Sequence, residues 1–263
     1  MNKATILNPT QLSNEKLAKI YERHPGPYVI TTGWKTDLEK IFPGIMEIGF
    51  DIDKVGRPHY GDINESETEL LYRIVNWLQP KNLVEFGTFD GRSTRIMAEQ
   101  SPLDARVLTV DLPEDNGFIH PYTSDSIFSE LAKPGSRYEG SSATGKIKQV
   151  LMDATSFNFK KELDTFLDGK SIDFALVDAA HDYYTTKYLW ELAFSKLNPG
   201  GVILSDDYGK IASHIGVTEF FATKAREDGF LFYHFKPEPK EAKDPSGVFF
   251  VNVYGAIRNW KKG

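Results

Sequence analysis

Two apolar runs of the sequence, residues 173–177 and 202–205, end in acidic side chains. The polar residues that follow these runs are Asp178, His181, Asp182, Asp206 and Asp207. Carboxylates gathered at neighbouring strand ends repel one another unless a cation lies among them. An oxygen-rich set without sulfur suits a hard cation such as Mg²⁺. We therefore predict that Asp178, Asp206 and Asp207 ligate a divalent metal, with Mg²⁺ as the expected ion.

His181 is the candidate acid–base residue of this set. It stands three residues after Asp178, and an imidazole titrates near neutral pH. A metal lowers the pKa of a hydroxyl bound to it, and a base beside it then takes the proton. We predict His181 as this general base. A second interpretation stays open, in which His181 pairs with Asp182 or caps the helix that follows.

A second group of residues has the types and the order expected at a nucleoside-binding edge. Residues 85–91 read EFGTFDG, and their two glycines allow a sharp backbone turn close to a ligand. The helix that begins near Ser93 offers free N–H groups. Asp111 follows the second apolar run and can accept two hydrogen bonds from a ribose diol. Asp153 follows the third run and can accept from an exocyclic amine such as adenine N6.

The elements that position these residues alternate along the chain. We predict strands over residues 82–86, 106–110, 148–152, 173–177 and 202–205, and helices from residue 64 to Pro80, over 93–100 and over 185–196. Strands that are nearly all apolar indicate a parallel sheet covered on both faces. The expected fold is α/β, a Rossmann-like doubly wound sheet that is mainly parallel. In such sheets ligands bind beyond the carboxyl ends of the strands.

The two ends of the chain differ from this pattern. Residues 230–235 and 248–253 read as strands without a helix between them, which predicts an antiparallel hairpin at the C-terminal edge of the sheet. Residues 1–65 read as an N-terminal extension or lid with short helices, and residues 66–263 as the ligand-binding domain. The connection 112–147 exceeds the usual loop length, so we expect it to form a substrate-facing wall together with the extension.

The composition narrows the classes of partner. The chain has 263 residues, a net charge of −6 and no cysteine, which excludes disulfides, zinc–thiolate sites and thiol nucleophiles. It has neither a block of basic residues nor an apolar run near 18 residues, so we expect no nucleic-acid partner and no membrane partner. A cytoplasmic protein with a small-molecule substrate is the expectation. Assembly into a homo-oligomer through the N-terminal extension stays open.

Roughly residues 65–255 resemble the class I S-adenosylmethionine-dependent methyltransferases. The motifs that carry the resemblance are EFGTFDG, VLTVD, VLMDAT and LNPGGVILSDD. The resemblance implies that Gly87 passes close to the methionine part of the cofactor, Asp111 holds the ribose and Asp153 holds the adenine. The cofactor-binding set expected on this basis is Glu85, Gly87, Thr88, Gly91, Ser93, Asp111, Asp153, Ala154 and Asp178.

The acidic cluster narrows the resemblance. Asp178-x-x-His181 followed by an acidic pair looks like the metal-dependent O-methyltransferases of macrolide sugars, of the macrocin and mycinamicin type. It is more distantly similar to catechol O-methyltransferase, which has Lys where His181 stands and Asn where Asp207 stands. The macrolide enzymes have Glu-Asp where this chain has Asp206-Asp207. The resemblance implies a magnesium-dependent O-methyltransferase acting on a hydroxyl of a natural-product or sugar-like small molecule.

Three other interpretations compete with this one. The first is a metal-independent O- or N-methyltransferase of the same fold. The second is an NAD-dependent oxidoreductase, in which Asp111 would serve equally; the spacing E-x-G-x-x-x-G lacks the second glycine of a dinucleotide fingerprint and argues against it. The third is a non-catalytic binder, which has no physical need for clustered carboxylates.

Overall fold

The apolar runs form a five-stranded sheet in which every pairing is parallel. The structure, a computed structural model, describes residues 29–32, 34–59, 62–113, 133–208, 215–228 and 232–235. Its strands are β1 (Val29–Thr32), β2 (Asn82–Phe86), β3 (Arg106–Asp111), β4 (Ile147–Leu151), β5 (Ile172–Val177), β6 (Leu197–Ser205) and β7 (Phe232–Phe235). Its helices are α1 (Trp34–Ile41), α2 (Ile52–Val55), α3 (Glu65–Leu78), α4 (Arg92–Gln100), α5 (Phe157–Leu167), α6 (Tyr183–Ser195) and α7 (Ile215–Asp228). The strand order of the main sheet is β4-β3-β2-β5-β6.

Helices cover both faces of this sheet. Alternate residues of each strand point to opposite faces, and the buried apolar side chains accordingly form two clusters. One cluster joins α3 and α4 to one face, and the other joins α5, α6 and α7 to the opposite face. The predicted α/β doubly wound sheet is confirmed, because both faces of its strands are covered.

Helix α3 begins where the sequence predicted. The Asn64 side chain accepts a hydrogen bond from the backbone N–H of Glu67 (3.0 Å), and Glu67 Oε2 accepts from the backbone N–H of Asn64 (2.7 Å). This reciprocal capping box satisfies two N–H groups that the first turn leaves without a helical partner. The helix ends at Leu78, before Pro80.

The ends of the chain depart from the prediction. Strand β7 falls within the predicted run 230–235, and it pairs in parallel with β1, from Val29 with Phe232 to Thr32 with Phe235. The predicted partner of β7, residues 248–253, lies outside the described residues, so the antiparallel hairpin itself stays a prediction.

Strand β1 and helix α5 were not predicted, and β6 begins at Leu197, earlier than the apolar run alone indicated. No helix in the described ranges has the length and apolar character needed to span a bilayer.

Candidate active site

The carboxyl ends of the central strands bring the two predicted groups of residues to one edge. The backbone pairing continues just beyond the strands: the N–H of Gly87 donates to the carbonyl of Val110 (2.9 Å), and the N–H of Asp178 donates to the carbonyl of Phe86 (2.9 Å). The N–H of Asp206 donates to the carbonyl of Val177 (3.2 Å). The glycine turn and the acidic residues therefore leave the sheet side by side.

Gly87 is the point where these two groups touch. Its φ of +96° lies in the region that side chains disfavour, and a Cβ there would overlap the backbone carbonyl oxygen of Asp178. Gly91, with φ +88°, begins α4, and a Cβ on it would lie 2.6 Å from Cδ1 of Tyr138. The turn thus requires glycine at both positions. A side chain at position 87 would overlap the backbone that follows β5, and one at position 91 would overlap Tyr138 in the segment that follows β3.

Asp111 shapes the glycine turn. Its Oδ2 accepts hydrogen bonds from the backbone N–H groups of Thr88 (2.8 Å) and Phe89 (2.7 Å), and its Oδ1 accepts from that of Leu112 (2.7 Å). A carboxylate offers about four acceptor positions, so one remains for a ligand hydroxyl. Three acceptor positions of Asp111 hold the loop, so only one of the two hydrogen bonds predicted from a ribose diol has a free acceptor here, and the ribose contact itself stays a prediction.

Glu85 is fully buried, with 0% of its surface exposed. The hydroxyls of Ser93 (2.5 Å), Thr109 (2.6 Å) and Thr94 all donate to its carboxylate. Burial raises the pKa of Glu85 to about 7, against the lowering effect of the three hydroxyls. Glu85, a member of the predicted cofactor set, is thus bound by Ser93 and Thr94 at the start of α4, and its contact with a cofactor stays a prediction.

Asp153 and Ala154 follow β4 at the same edge. Asp153 is exposed, and its Oδ1 accepts from the backbone N–H (2.8 Å) and the hydroxyl (2.7 Å) of Thr155. Ala154 is half-buried and packs against the core. The N–H of Met152 donates to the carbonyl of Asp111 (2.8 Å), which places this turn beside the end of β3. The adenine contact predicted for Asp153 and Ala154 stays a prediction.

The acidic residues after β5 and β6 converge on His181. Candidate ligand atoms of Asp178, His181 and Asp207 all lie within 4.8 Å of one another. Nε2 of His181 is 2.5 Å from Oδ2 of Asp207 and 3.9 Å from Oδ1 of Asp178. Asp207 has φ +67°, a conformation that a side chain seldom adopts, and its side chain is only 3% exposed.

Asp206 stands apart from this group. It was predicted as a metal ligand, and it is buried directly after β6, yet it is not among the side chains whose ligand atoms converge. Strand β6 ends at Ser205, and the left-handed backbone of Asp207 (φ +67°) sets the direction of its side chain apart from that of Asp206. The structure places His181, predicted as a base, among the two carboxylates instead.

His181 carries its proton at neutral pH in this arrangement. Burial lowers its pKa, but the charges and hydrogen bonds of Asp207 and Asp178 outweigh burial and raise the pKa to about 9. A protonated imidazole donates and cannot accept a proton. The predicted general-base role of His181 therefore requires a positive charge that occupies the two carboxylates.

The alternative roles left open for His181 and Asp182 are resolved by the geometry. The Asp182 side chain accepts from the backbone N–H groups of Tyr184 (2.9 Å) and Thr185 (3.0 Å) and so caps α6. His181 pairs with Asp207 across the site. The structure thus separates the capping residue from the residue that faces the carboxylates.

Comparison with known proteins finds a domain of known type in the central part of the chain. Residues 84–208 match the family model described as a methyltransferase domain, a segment that contains the glycine turn, Asp111, Asp153 and the acidic cluster. The chain carries a methyltransferase domain. The prediction of a class I S-adenosylmethionine-dependent methyltransferase is confirmed by this match, and the oxidoreductase interpretation is set aside.

Solved structures agree on the fold of this methyltransferase. Cofactor-bound Rv0187 from MTB is 15% identical, with a TM-score of 0.55 and coverage of 82% of this chain and 95% of that chain. A Staphylococcus aureus protein assigned as a caffeoyl-CoA O-methyltransferase is 14% identical, with a TM-score of 0.50 and coverage of 90% and 98%. A Clostridium thermocellum protein assigned as an rRNA methylase is 12% identical, with a TM-score of 0.51 and coverage of 69% and 94%. A search of curated protein sequences gives no match.

Two positions of the methyltransferase site were missed from the sequence. A Cβ on Gly216, at the start of α7, would overlap the backbone of Asp182 and Tyr183, so α7 lies directly against the turn that carries His181. The Thr109 hydroxyl, in the middle of a buried strand, is shared between Glu85 and Thr88 (2.6 Å each). Neither position can be recognised from the residues around it in the sequence, because each role depends on contact with an element distant in the chain.

Replacing Glu85 by glutamine should remove a pH dependence of stability. Because the pKa of Glu85 is raised from 4.5 to about 7, its protonated form is favoured in the folded state, and this contribution is lost as pH rises through that interval. Between pH 5 and pH 8 the free energy of unfolding of the wild type should therefore fall by about 3 kcal/mol relative to Glu85→Gln. Urea unfolding at both pH values measures the difference. Glu139→Gln, at an exposed ion pair, is the control and should change nothing with pH.

Proposed function

We propose that this methyltransferase is a divalent-metal-dependent O-methyltransferase that acts on a hydroxyl group of a small molecule. The observation that carries the proposal is the convergence of Asp178, His181 and Asp207 within 4.8 Å, directly beside the glycine turn. The backbone of Asp178 touches Gly87, so a group held by the cluster lies next to a cofactor held by the turn. The net charge of −6 favours a small-molecule acceptor over nucleic acid.

The residues of the cluster fit a hard divalent cation. The carboxylates of Asp178 and Asp207 offer oxygen ligands of the kind that Mg²⁺ or Mn²⁺ prefers, and the His181 imidazole beside them is left for proton transfer. The strained backbone of Asp207 turns its nearly buried carboxylate toward the cluster, and strain of this kind is frequent at functional sites. We assign Asp178 and Asp207 as ligands, and retain Asp206 as a third ligand that would have to turn toward them. A cation bound there supplies charge that lowers the pKa of an acceptor hydroxyl.

The chain's own residues then have separable roles. Gly87 and Gly91 shape the turn against which the cofactor lies, and Asp111 and Asp153 bind its nucleoside hydroxyls and amine. S-adenosylmethionine supplies the methyl group when bound. His181, released from Asp207, accepts the hydroxyl proton at Nε2 as the acceptor oxygen gains the methyl group and S-adenosylhomocysteine leaves.

Removal of divalent metal tests the proposal. We expect EDTA to lower methyl transfer from labelled S-adenosylmethionine to a panel of catechol, diol and sugar hydroxyls by at least about 100-fold, and added Mg²⁺ to restore it. Asp207→Asn should raise the Mg²⁺ concentration needed for half-maximal rate by at least about tenfold. Asp168→Asn, an exposed substitution at the end of α5, is the matched control. Full activity in EDTA would contradict the metal assignment.

A second candidate is a metal-independent O- or N-methyltransferase. The observation that favours it is the ion pair of His181 with Asp207 at 2.5 Å, which already compensates one carboxylate without a cation. In that case Asp178 would orient an acceptor amine or hydroxyl directly. The same chelator experiment separates the two, and the methylated atom of the product shows whether oxygen or nitrogen is the acceptor.

A further inference from the structure

A group of charged side chains, most of them buried, lies at the Asp90 end of the glycine turn. Nη1 of Arg137 contacts Oδ2 of Asp62 (2.8 Å) and Oδ2 of Asp90 (3.2 Å), and Nε of Arg92 lies 3.9 Å from Oδ2 of Asp62. The side chains of Asp62, Asp90 and Arg92 are 3%, 4% and 1% exposed. We call these four residues the arginine clamp.

The arginine clamp is not a second metal site. Ligand atoms of His59, Asp62 and Asp90 do come within 4.8 Å of one another. Arg137, however, occupies one oxygen of each carboxylate, and His59 is exposed. Burial lowers the pKa of Arg92 to about 10, which leaves it charged at neutral pH. Two cations balance two carboxylates, so the cluster has no need of an added ion.

The clamp holds a segment that belongs to the predicted N-terminal extension. Arg92 donates to the carbonyl of Gly56 from Nε (3.1 Å) and Nη2 (2.7 Å). Arg95, one turn further along α4, donates to the carbonyl of Val55, and Arg137 donates to that of Arg57 (3.3 Å). Three successive carbonyls are thus bound by guanidinium groups, which fixes residues 55–57 against the helix that follows the glycine turn.

The same clamp holds the glycine turn itself. The backbone N–H of Arg137 donates to the carbonyl of Asp90 (2.9 Å), and that of Gly135 donates to the carbonyl of Phe89 (3.1 Å). Asp90 Oδ1 accepts from the N–H of Arg92 (2.9 Å), the first residue of α4. The ring of Tyr138 covers Gly91. Residues 133–138 therefore contact the turn through backbone and side chain at once.

We propose that Arg137 is a positioning residue that couples occupancy of the cofactor turn to the order of residues 55–59 and 62–63. Arg137 spans Asp90, which belongs to the turn, and Asp62, which belongs to the extension. A ligand that fixes the turn fixes Asp90, and through Arg137 it fixes Asp62 and the carbonyls beside it. The substitution Arg137→Met retains much of the length of the side chain but removes both ion pairs, with Asp62 and with Asp90. The two segments are then no longer linked through this side chain.

Hydrogen–deuterium exchange of the full chain, with and without S-adenosylhomocysteine, tests the coupling. We expect S-adenosylhomocysteine to slow exchange of residues 55–59 and 62–63 in the wild type, and to have no such effect in Arg137→Met. Calorimetry should show S-adenosylhomocysteine binding about tenfold more weakly to Arg137→Met. The KM for S-adenosylmethionine should rise to a similar extent with kcat unchanged, a split that general loss of structure does not produce.

Two further variants make the result decisive. Lys133→Met removes an exposed ion pair of the same segment, with Glu139, and should behave as wild type. Asp62→Asn keeps the shape of the side chain but removes its charge, and it should lose the coupling as Arg137→Met does. It serves as the test variant if Arg137→Met folds poorly. If S-adenosylhomocysteine still protects residues 55–59 and 62–63 in a folded Arg137→Met or Asp62→Asn protein, the proposal is overturned. Absence of S-adenosylhomocysteine binding by the wild type overturns it too, together with the cofactor assignment of the turn.

Discussion

His181→Asn is expected to lower kcat by about 10²- to 10⁴-fold while the affinity for S-adenosylhomocysteine stays unchanged. Nε2 of His181 lies between the carboxylates of Asp207 and Asp178, where a hydroxyl held by the cluster would present its proton. Asparagine keeps a polar side chain of similar reach but does not take up a proton at neutral pH. The affinity for the nucleoside is preserved because the glycine turn and Asp111 are untouched.

Single-turnover rates and calorimetry on the same preparations separate these effects. His59→Asn is the matched control, since His59 is exposed and its backbone N–H, which donates to Asp62 (2.8 Å), is retained. The control should keep kcat within about twofold of the wild type, as expected of a surface change. A kcat for His181→Asn reduced by less than about fivefold would remove His181 from the proton-transfer step.

Gly87→Ala is expected to disable both halves of the site at once. The added Cβ overlaps the carbonyl oxygen of Asp178, a backbone atom that cannot move without parting β2 from β5, and φ +96° adds conformational cost. We expect the free energy of unfolding to fall by about 4 kcal/mol, in the range of the largest single-residue effects. Urea unfolding measures this, and calorimetry should show loss of S-adenosylhomocysteine binding together with loss of Mn²⁺ binding.

Gly140→Ala separates the conformational cost of a positive φ from the steric overlap of the added Cβ. Gly140 also has a positive φ, +74°, but nothing lies within 4 Å of the position its Cβ would take. It should cost only the conformational part, about 1 to 2 kcal/mol, and leave both ligands bound. Equal destabilisation by the two variants would show that steric contact with Asp178 is not what requires glycine at position 87.

The sequence predicted the main sheet well because buried parallel strands are short apolar runs with polar residues at their ends. The predicted run 82–86 coincides with β2, and 173–177 lies within β5. The sequence could not show which side chains come into contact beyond the ends of the strands. Whether Asp206 or His181 faces Asp178 depends on the backbone conformation of Asp207. Its positive φ cannot be predicted from the residue type.

The elements that were missed depend on contacts between distant parts of the chain. Asp62 and Arg137 are 75 residues apart, and each taken alone is an ordinary surface-type residue. Strand β1 is four residues long and becomes recognisable only through its pairing with β7. Helix α5 has a weak start signal, a Ser156 cap, whose hydroxyl accepts from the N–H of Phe159 (3.1 Å).

The pairing of β1 with β7 has a consequence for how the chain is made. Its two strands are about two hundred residues apart, so β1 is synthesised long before the strand with which it pairs. Contacts at such separation close late in folding, and a two-stranded sheet has little stability by itself. All strands of the five-stranded sheet precede β7 in the chain, so that sheet can assemble during translation before β1 gains its partner.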